Sequence, residues 1–78
     1  YKKRFAIAYQ NTDAYDFDDS RGAGWHRKNS VIQTYMKLNS VTRGTGWNHF
    51  GKYAKDMFDT VKENKVVYLR MKEGANDE

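Results

Sequence analysis

The fold of this chain depends on residues 31–38, whose sequence is Val31-Ile32-Gln33-Thr34-Tyr35-Met36-Lys37-Leu38. Positions 31, 32, 35 and 36 fit the apolar stripe of a helix, whereas positions 32, 34, 36 and 38 fit the alternation of a strand equally well. The β-branched residues, and the short run between Asn29-Ser30 and Asn39-Ser40, favour the strand. We therefore predict a strand here that pairs with residues 24–28 through a tight turn at Asn29 and Ser30.

Two further segments alternate between apolar and polar residues. In residues 3–9 the side chains of Phe5, Ile7 and Tyr9 share one face, which predicts a first strand. In residues 65–71 the alternation of Val67, Leu69 and Met71 predicts a final strand.

The clearest helical signal lies in residues 47–62. Apolar residues recur there at i, i+4, i+7 and i+11, beginning at Phe50, with charged residues on the other side. A single amphipathic helix must cover one apolar sheet face. The sequence therefore predicts an α+β fold, a small antiparallel β-sheet packed against one amphipathic helix.

Length and composition restrict the possible classes of protein. A chain of 78 residues has room for one domain, which we predict at residues 1–73, followed by a frayed acidic tail at residues 74–78. Cysteine is absent from the sequence, which excludes disulfides and thiolate metal sites. No apolar run approaches the roughly 18 residues of a transmembrane helix, so we expect no membrane partner and an intracellular location, cytoplasmic or with the nucleoid or nucleus.

The charge distribution points to a polyanionic partner. The net charge is +4, and residues 20–55 contain seven lysines and arginines but no aspartate or glutamate. Trp25, Tyr35, Trp47, Phe50 and Tyr53 are interleaved with these cations. Cations that meet phosphates and flat rings that stack on bases are the pairing used by nucleic-acid binders, although a solvated basic face over core aromatics would give the same pattern.

The middle of the chain also carries a family resemblance. Residues 20–39, SRGAGWHRKNSVIQTYMKLN, are followed by His49-Phe50-Gly51-Lys52-Tyr53 and by a predicted helix at residues 54–64. This pattern resembles the APETALA-type DNA-binding domain. The resemblance implies a three-stranded sheet that lies in the major groove of duplex DNA.

The same resemblance implies particular roles for the outward residues of those strands. Arg21 and Gln33 would read guanine and adenine edges, and Lys28 and Lys37 would hold phosphates. All of the predicted nucleic-acid-binding residues lie in the acid-free segment, residues 20–55. They are Arg21, His26, Arg27, Lys28, Gln33, Tyr35, Lys37 and Arg43.

A short motif occurs twice in the acid-free segment, as Arg21-Gly22-Ala23-Gly24-Trp25 and as Arg43-Gly44-Thr45-Gly46-Trp47. Paired glycines allow close approach of the backbone to a ligand, and the flanking arginine and tryptophan supply charge and stacking. The alternative is that each motif is a bend that ends in a core tryptophan.

Catalysis and cofactor binding have little support in the sequence. His26 and His49 are the only histidines and lie far apart, so we predict no metal site, no cofactor and no enzymatic activity. The acidic residues at positions 13, 16, 18 and 19 lack the glycine and glutamate of a calcium loop, and we predict that they form a solvated loop.

Two functions remain open. The first is a nucleic-acid-binding module, for DNA rather than RNA, that uses a basic β-sheet face. The second is a small protein-interaction or inhibitor module, of the kind found among phage accessory proteins, whose Tyr, Trp and Arg surface meets an acidic protein. Burial of Trp25 and Trp47 would favour the first, and their joint exposure would favour the second.

Overall fold

The computed structural model describes residues 1–72, which form three α-helices and a three-stranded antiparallel sheet. In chain order the elements are α1 (Lys2–Gln10), β1 (His26–Arg27), α2 (Lys28–Asn39), α3 (Arg43–His49), β2 (Phe58–Glu63) and β3 (Val66–Met71). Beyond α3 the helical path continues as a π-helical turn, Phe50–Ala54, and a 3-10 turn, Lys55–Met57. The predicted α+β class is confirmed, although three helices are present in place of the predicted one. The predicted tail, residues 74–78, lies outside the described residues.

The strands are arranged in the order β1-β3-β2, so the short first strand lies beside the last. His26 of β1 pairs with Leu69 of β3, and Phe58 of β2 pairs with Met71. The final predicted strand is confirmed as β3. Residues 24–28 do not pair with residues 31–38 as predicted, because His26 and Arg27 pair with β3 and Trp25 forms a bridge with Tyr15.

The predicted strand at residues 31–38 is wrong, since these residues belong to α2. Val31, Ile32 and Tyr35 are fully buried, whereas Leu38 is 53% exposed, so burial follows the helical stripe and not the alternation. The helix ends where Ser40 adopts a left-handed conformation with φ 54° and its backbone N–H donates to the Met36 carbonyl.

The predicted first strand is also wrong, because residues 3–9 lie in α1. Phe5 and Ala8 are buried, but Ile7 is 45% exposed. The spacing of Phe5 and Tyr9 fits both periods, and the strand prediction used the exposed Ile7 as if it faced the core.

The third helical region shares residues 47–57 with the predicted helix, but it begins earlier and ends earlier. It begins at Arg43, where the hydroxyl of the preceding Thr42 accepts a hydrogen bond from the Thr45 backbone N–H at 3.3 Å. It ends at Met57, and the residues that follow form β2. Phe50, Ala54 and Met57 are buried as predicted, but Val61 belongs to the strand.

Both faces of the sheet are covered within the described residues. The helices pack over the face of Leu69 and Phe58, with the aromatic rings of Phe5 and Tyr35 stacked at 3.8 Å in the same core. The segment between α1 and β1 covers the ring of Tyr68, with Tyr15 at 5.2 Å and Phe17 at 5.0 Å between ring centroids. No helix in residues 1–72 is long and apolar enough to cross a membrane.

Candidate nucleic-acid interface

A groove with a cationic lining lies between the start of α2, the first turns of α3 and the start of β3. Its volume is about 420 Å³, and we call it the basic groove. It is lined by Arg27, Lys28, Asn29, Ser30, Arg43, Trp47, Lys65, Val66 and Val67. Four of these residues carry a positive charge and none carries a negative one. Residues from β1, α2, α3 and the β2–β3 turn thus bring four cations to one concave surface.

Most of these cations have no hydrogen-bond or ion-pair partner among residues 1–72. Within residues 1–72 the side chains of Arg27, Arg43 and Lys65 form no ion pair and no hydrogen bond, and all three residues are exposed. An arginine or lysine that stabilises its own fold is usually paired with a carboxylate or lies along an apolar surface. As far as residues 1–72 are concerned, these three side chains are available to an anion from outside the chain.

Lys28 and Trp47 form the floor of the basic groove. The Lys28 ammonium lies 5.1 Å from the centroid of the Trp47 ring and 4.9 Å from that of Phe50. These distances are within the range of cation–π attraction. Trp47 is half-buried, so part of its ring borders the groove.

The start of α2 adds further positive potential to the groove. The side chain of its N-cap residue, Arg27, makes no capping hydrogen bond, and its first turn contains no acidic residue. The first backbone N–H groups of a helix have no intrahelical acceptor, and the helix dipole makes that end partially positive. The groove therefore combines side-chain cations with backbone donors.

Gln33 and Lys37 lie in a neighbouring groove of about 620 Å³ between α2 and residues 11–15. This second groove shares Arg27 and Ser30 with the basic groove but also contains the carboxylate of Asp13. The predicted cations Arg27, Lys28 and Arg43 thus meet in one groove, and Gln33 and Lys37 form a polar extension along α2.

Tyr35 does not lie on a binding surface as predicted. Its ring is fully buried against Phe5, and its hydroxyl lies 2.9 Å from Nδ1 of His49. Burial raises the pKa of the Tyr35 hydroxyl above its ordinary value. The prediction placed Tyr35 on the outer face of a strand, and the helix turns it into the core.

His26 is likewise a structural residue and not an outward one. It is 7% exposed, its ring lies 3.9 Å from that of Tyr9, and its Nδ1 lies 3.1 Å from the Gly24 carbonyl oxygen. Burial lowers the pKa of His26, which favours the neutral ring. Contact with a phosphate would require an exposed ring.

Arg21 is engaged within the protein and is not free to read a base. Its guanidinium forms ion pairs with Asp19 and Glu63 and lies 4.1 Å from the Phe17 ring centroid. Hydrogen bonds from Arg21 lower the pKa of Asp19 from 3.8 to about 2. The predicted acidic loop therefore serves in part to hold Arg21 and to fasten the loop to β2.

The two Arg-Gly-x-Gly-Trp motifs have different structures. Gly22 and Gly24 adopt φ values of 76° and 87°, whereas Gly44 and Gly46 lie inside α3. Trp25 is buried and its indole N–H donates to the Arg21 carbonyl at 2.8 Å. The first motif is a bend that ends in a buried tryptophan. Because Trp25 is buried and Trp47 is half-buried, the tryptophans are neither both buried, which would have favoured a nucleic-acid binder, nor both exposed, which would have favoured a protein partner.

The structure corrects the predicted location of the binding surface and adds one residue to it, Lys65. The cations do not lie on a sheet face, since they come from the ends of helices and strands. Lys65 was not predicted, because it lies outside the acid-free segment. The available signal was Asn64-Lys65 between two alternating runs, which is typical of a hairpin turn.

No protein-family model, curated protein or solved structure matches this chain at a significant level. The resemblance to the APETALA-type domain stays a prediction without support from relatives. Residues 30–38, which that resemblance requires as strand, lie in α2.

Proposed function

We propose that this chain is a nucleic-acid-binding module that holds the phosphate backbone of duplex DNA in the basic groove. The observation that carries the proposal is a groove lined by four cations, Arg27, Lys28, Arg43 and Lys65, and by no carboxylate from residues 1–72. A surface cleared of acids and supplied with unpaired cations attracts a polyanion and releases its counterions on binding.

The arrangement of the helices supports duplex DNA as the ligand. α2 and α3 are joined by only three residues, 40–42, which is the connection length of a helix-turn-helix unit. In such units the second helix enters the major groove while the first lies across the backbone. The exposed residues along α3 and its continuation include Arg43, Asn48, Lys52 and Lys55, which suit phosphates and base edges.

The order of the elements supports the same ligand by analogy. Helix, strand, helix, turn, helix and a final hairpin, with the first strand beside the last, is the order of winged helix-turn-helix DNA-binding domains. This is an analogy between folds, and the argument for function depends on the groove itself.

The test is a fluorescence anisotropy titration of labelled duplex DNA, single-stranded DNA and RNA at several salt concentrations. We expect the double variant Arg27→Gln/Arg43→Gln to bind duplex DNA about 60-fold more weakly than the parent at 0.1 M salt, because two phosphate contacts are lost. The slope of log affinity against log salt should become shallower by about 1.8.

The matched control is Lys3→Gln/Lys72→Gln, which removes the same net charge from two exposed lysines that line neither groove. This control should change affinity much less than the groove variant. If the parent binds none of the three nucleic acids at low salt, or if the control loses as much affinity as the groove variant, the proposal is wrong.

A further inference from the structure

The second groove, between α2 and residues 11–15, is the larger of the two grooves. Its volume of about 620 Å³ lies in the usual range of small-molecule sites, whereas the basic groove measures about 420 Å³. It is lined by Asn11, Thr12, Asp13, Ala14, Tyr15, Arg27, Ser30, Gln33, Thr34 and Lys37. All of these residues except Ala14 carry a polar atom in the side chain. The groove therefore suits a ligand with several hydrogen-bonding groups.

The two walls of the second groove are tied together by two threonines. The hydroxyl oxygens of Thr12 and Thr34 lie 3.0 Å apart. Their hydroxyl groups also lie within hydrogen-bond distance of the Ala8 and Ser30 carbonyl oxygens, at 2.7 Å and 3.0 Å. These contacts hold residues 11–15 against α2, so the groove exists before a ligand arrives.

The charged side chains of the second groove are not paired with one another. Asp13 lies on one wall, and Arg27 and Lys37 lie on the other. Within residues 1–72 their side chains form no ion pair and no hydrogen bond, and all three are exposed. Opposite charges thus border one groove with space between them. This arrangement complements a ligand that is anionic at one end and carries N–H or O–H donors at the other.

Tyr15 adds an aromatic surface to the same groove. The residue is 42% exposed. Its ring centroid lies 5.2 Å from that of Tyr68 and 4.8 Å from that of Phe17, and these contacts fix its orientation. An accessible aromatic ring of fixed orientation is a platform on which a nucleic-acid base can stack.

We propose that the second groove binds a nucleoside monophosphate. Its phosphate contacts Arg27 and Lys37, its base lies against Tyr15, and an N–H or O–H of the base or sugar donates to Asp13. A simple anion would use only the two cations and would be repelled by the carboxylate. The inference does not need the basic groove to bind DNA, because it concerns a different surface and a single nucleotide.

The test is an NMR titration of the isotopically labelled chain with ribonucleoside monophosphates at low salt and without DNA. We expect the largest shifts in residues 12–15 and 30–37. Ribose 5-phosphate and inorganic phosphate are the comparison probes. They should bind at least about fivefold more weakly than the nucleotides, because the stacking of the base is lost.

Two variants separate this site from general attraction between charges. Lys37→Gln should weaken nucleotide binding about tenfold, the cost of one charge-assisted hydrogen bond. Asp13→Asn should also weaken it, whereas the loss of a carboxylate that only repelled phosphate would tighten it. Lys3→Gln is the matched control for Lys37→Gln, because it neutralises an exposed lysine that lines neither groove, and it should leave binding unchanged.

A free nucleotide and an unpaired nucleotide at the end of a DNA strand present the same chemistry. A blunt duplex is therefore compared with the same duplex carrying a short single-stranded overhang. Tighter binding of the overhang duplex that Lys37→Gln abolishes would assign the groove to strand ends, and equal binding of both duplexes would assign it to free nucleotides.

Three results would each overturn the inference. They are equal affinities for ribose 5-phosphate and the nucleotides, tighter nucleotide binding by Asp13→Asn, and no shift in residues 12–15 and 30–37 at millimolar nucleotide. Failure of the proposed function looks different, since the blunt duplex would then not bind at low salt while free nucleotides still did.

Discussion

Tyr35→Ala is expected to lower the free energy of unfolding by about 3–5 kcal/mol, the usual cost of removing a buried aromatic ring. The Tyr35 ring is fully buried and stacks on Phe5 with a centroid distance of 3.8 Å and an interplanar angle of 3°. Its removal leaves a cavity at the junction of α1 and α2 that the surrounding backbone cannot close. Because small domains are only marginally stable, this variant should unfold at a much lower urea concentration than the parent.

Tyr35→Phe separates the ring from the hydroxyl. It keeps the stacked ring and loses only the contact with Nδ1 of His49, so we expect a loss of about 0.5–1.5 kcal/mol. Urea denaturation followed by circular dichroism measures both variants. A loss below 1 kcal/mol for Tyr35→Ala would contradict the helical assignment of residues 28–39, because Tyr35 would then have to lie on the surface, as the strand prediction had it.

Gly46→Val is expected to lower the free energy of unfolding by about 1–3 kcal/mol, the typical cost of overpacking a close contact. A Cβ atom at position 46 would lie 2.8 Å from Cγ of Met36 and 3.4 Å from Cγ2 of Ile32. The absence of a side chain at Gly46 lets α3 rest directly on α2. This close approach also sets the position of the neighbouring Trp47 beside Lys28.

Gly44→Val is the matched control, since it makes the same change two residues earlier on the same helix. A Cβ atom at position 44 would meet nothing within 4 Å. Valine and glycine differ little in helix propensity, so we expect a change within about 0.5 kcal/mol. Equal effects of the two substitutions on the urea midpoint would show that the close contact between α2 and α3 is absent.

The sequence predicted the end of the fold better than its beginning. The alternation of apolar and polar residues at positions 65–71 fits a strand alone, and β3 forms there. In residues 3–9 and 31–38 several apolar positions satisfy both the strand and the helix period, and local preference favoured the strand. These residues form helices instead, because α1 and α2 bury Phe5, Ile32 and Tyr35 against one another in a single core. Short apolar segments of this kind are settled by tertiary contacts.

The candidate site could be predicted only in part, for a related reason. Charge along the chain identified Arg27, Lys28 and Arg43, which the fold brings to one groove. It could not distinguish them from Arg21, whose charge is neutralised by Asp19 and Glu63. The ion pair with Glu63 depends on a contact between residues that are distant in the chain. Lys65 could not be predicted for the same reason, since only the pairing of β2 with β3 brings it to the groove.

The central claim is that the basic groove is the surface that holds DNA. The most direct test is to titrate isotopically labelled protein with a short DNA duplex and follow the backbone amide and tryptophan indole resonances by NMR. We predict that the largest shifts fall on residues 27–30, on residues 43–47 including the Trp47 indole, and on Lys65. Largest shifts in α1 or in residues 15–25, or no shifts at all at low salt, would contradict the account.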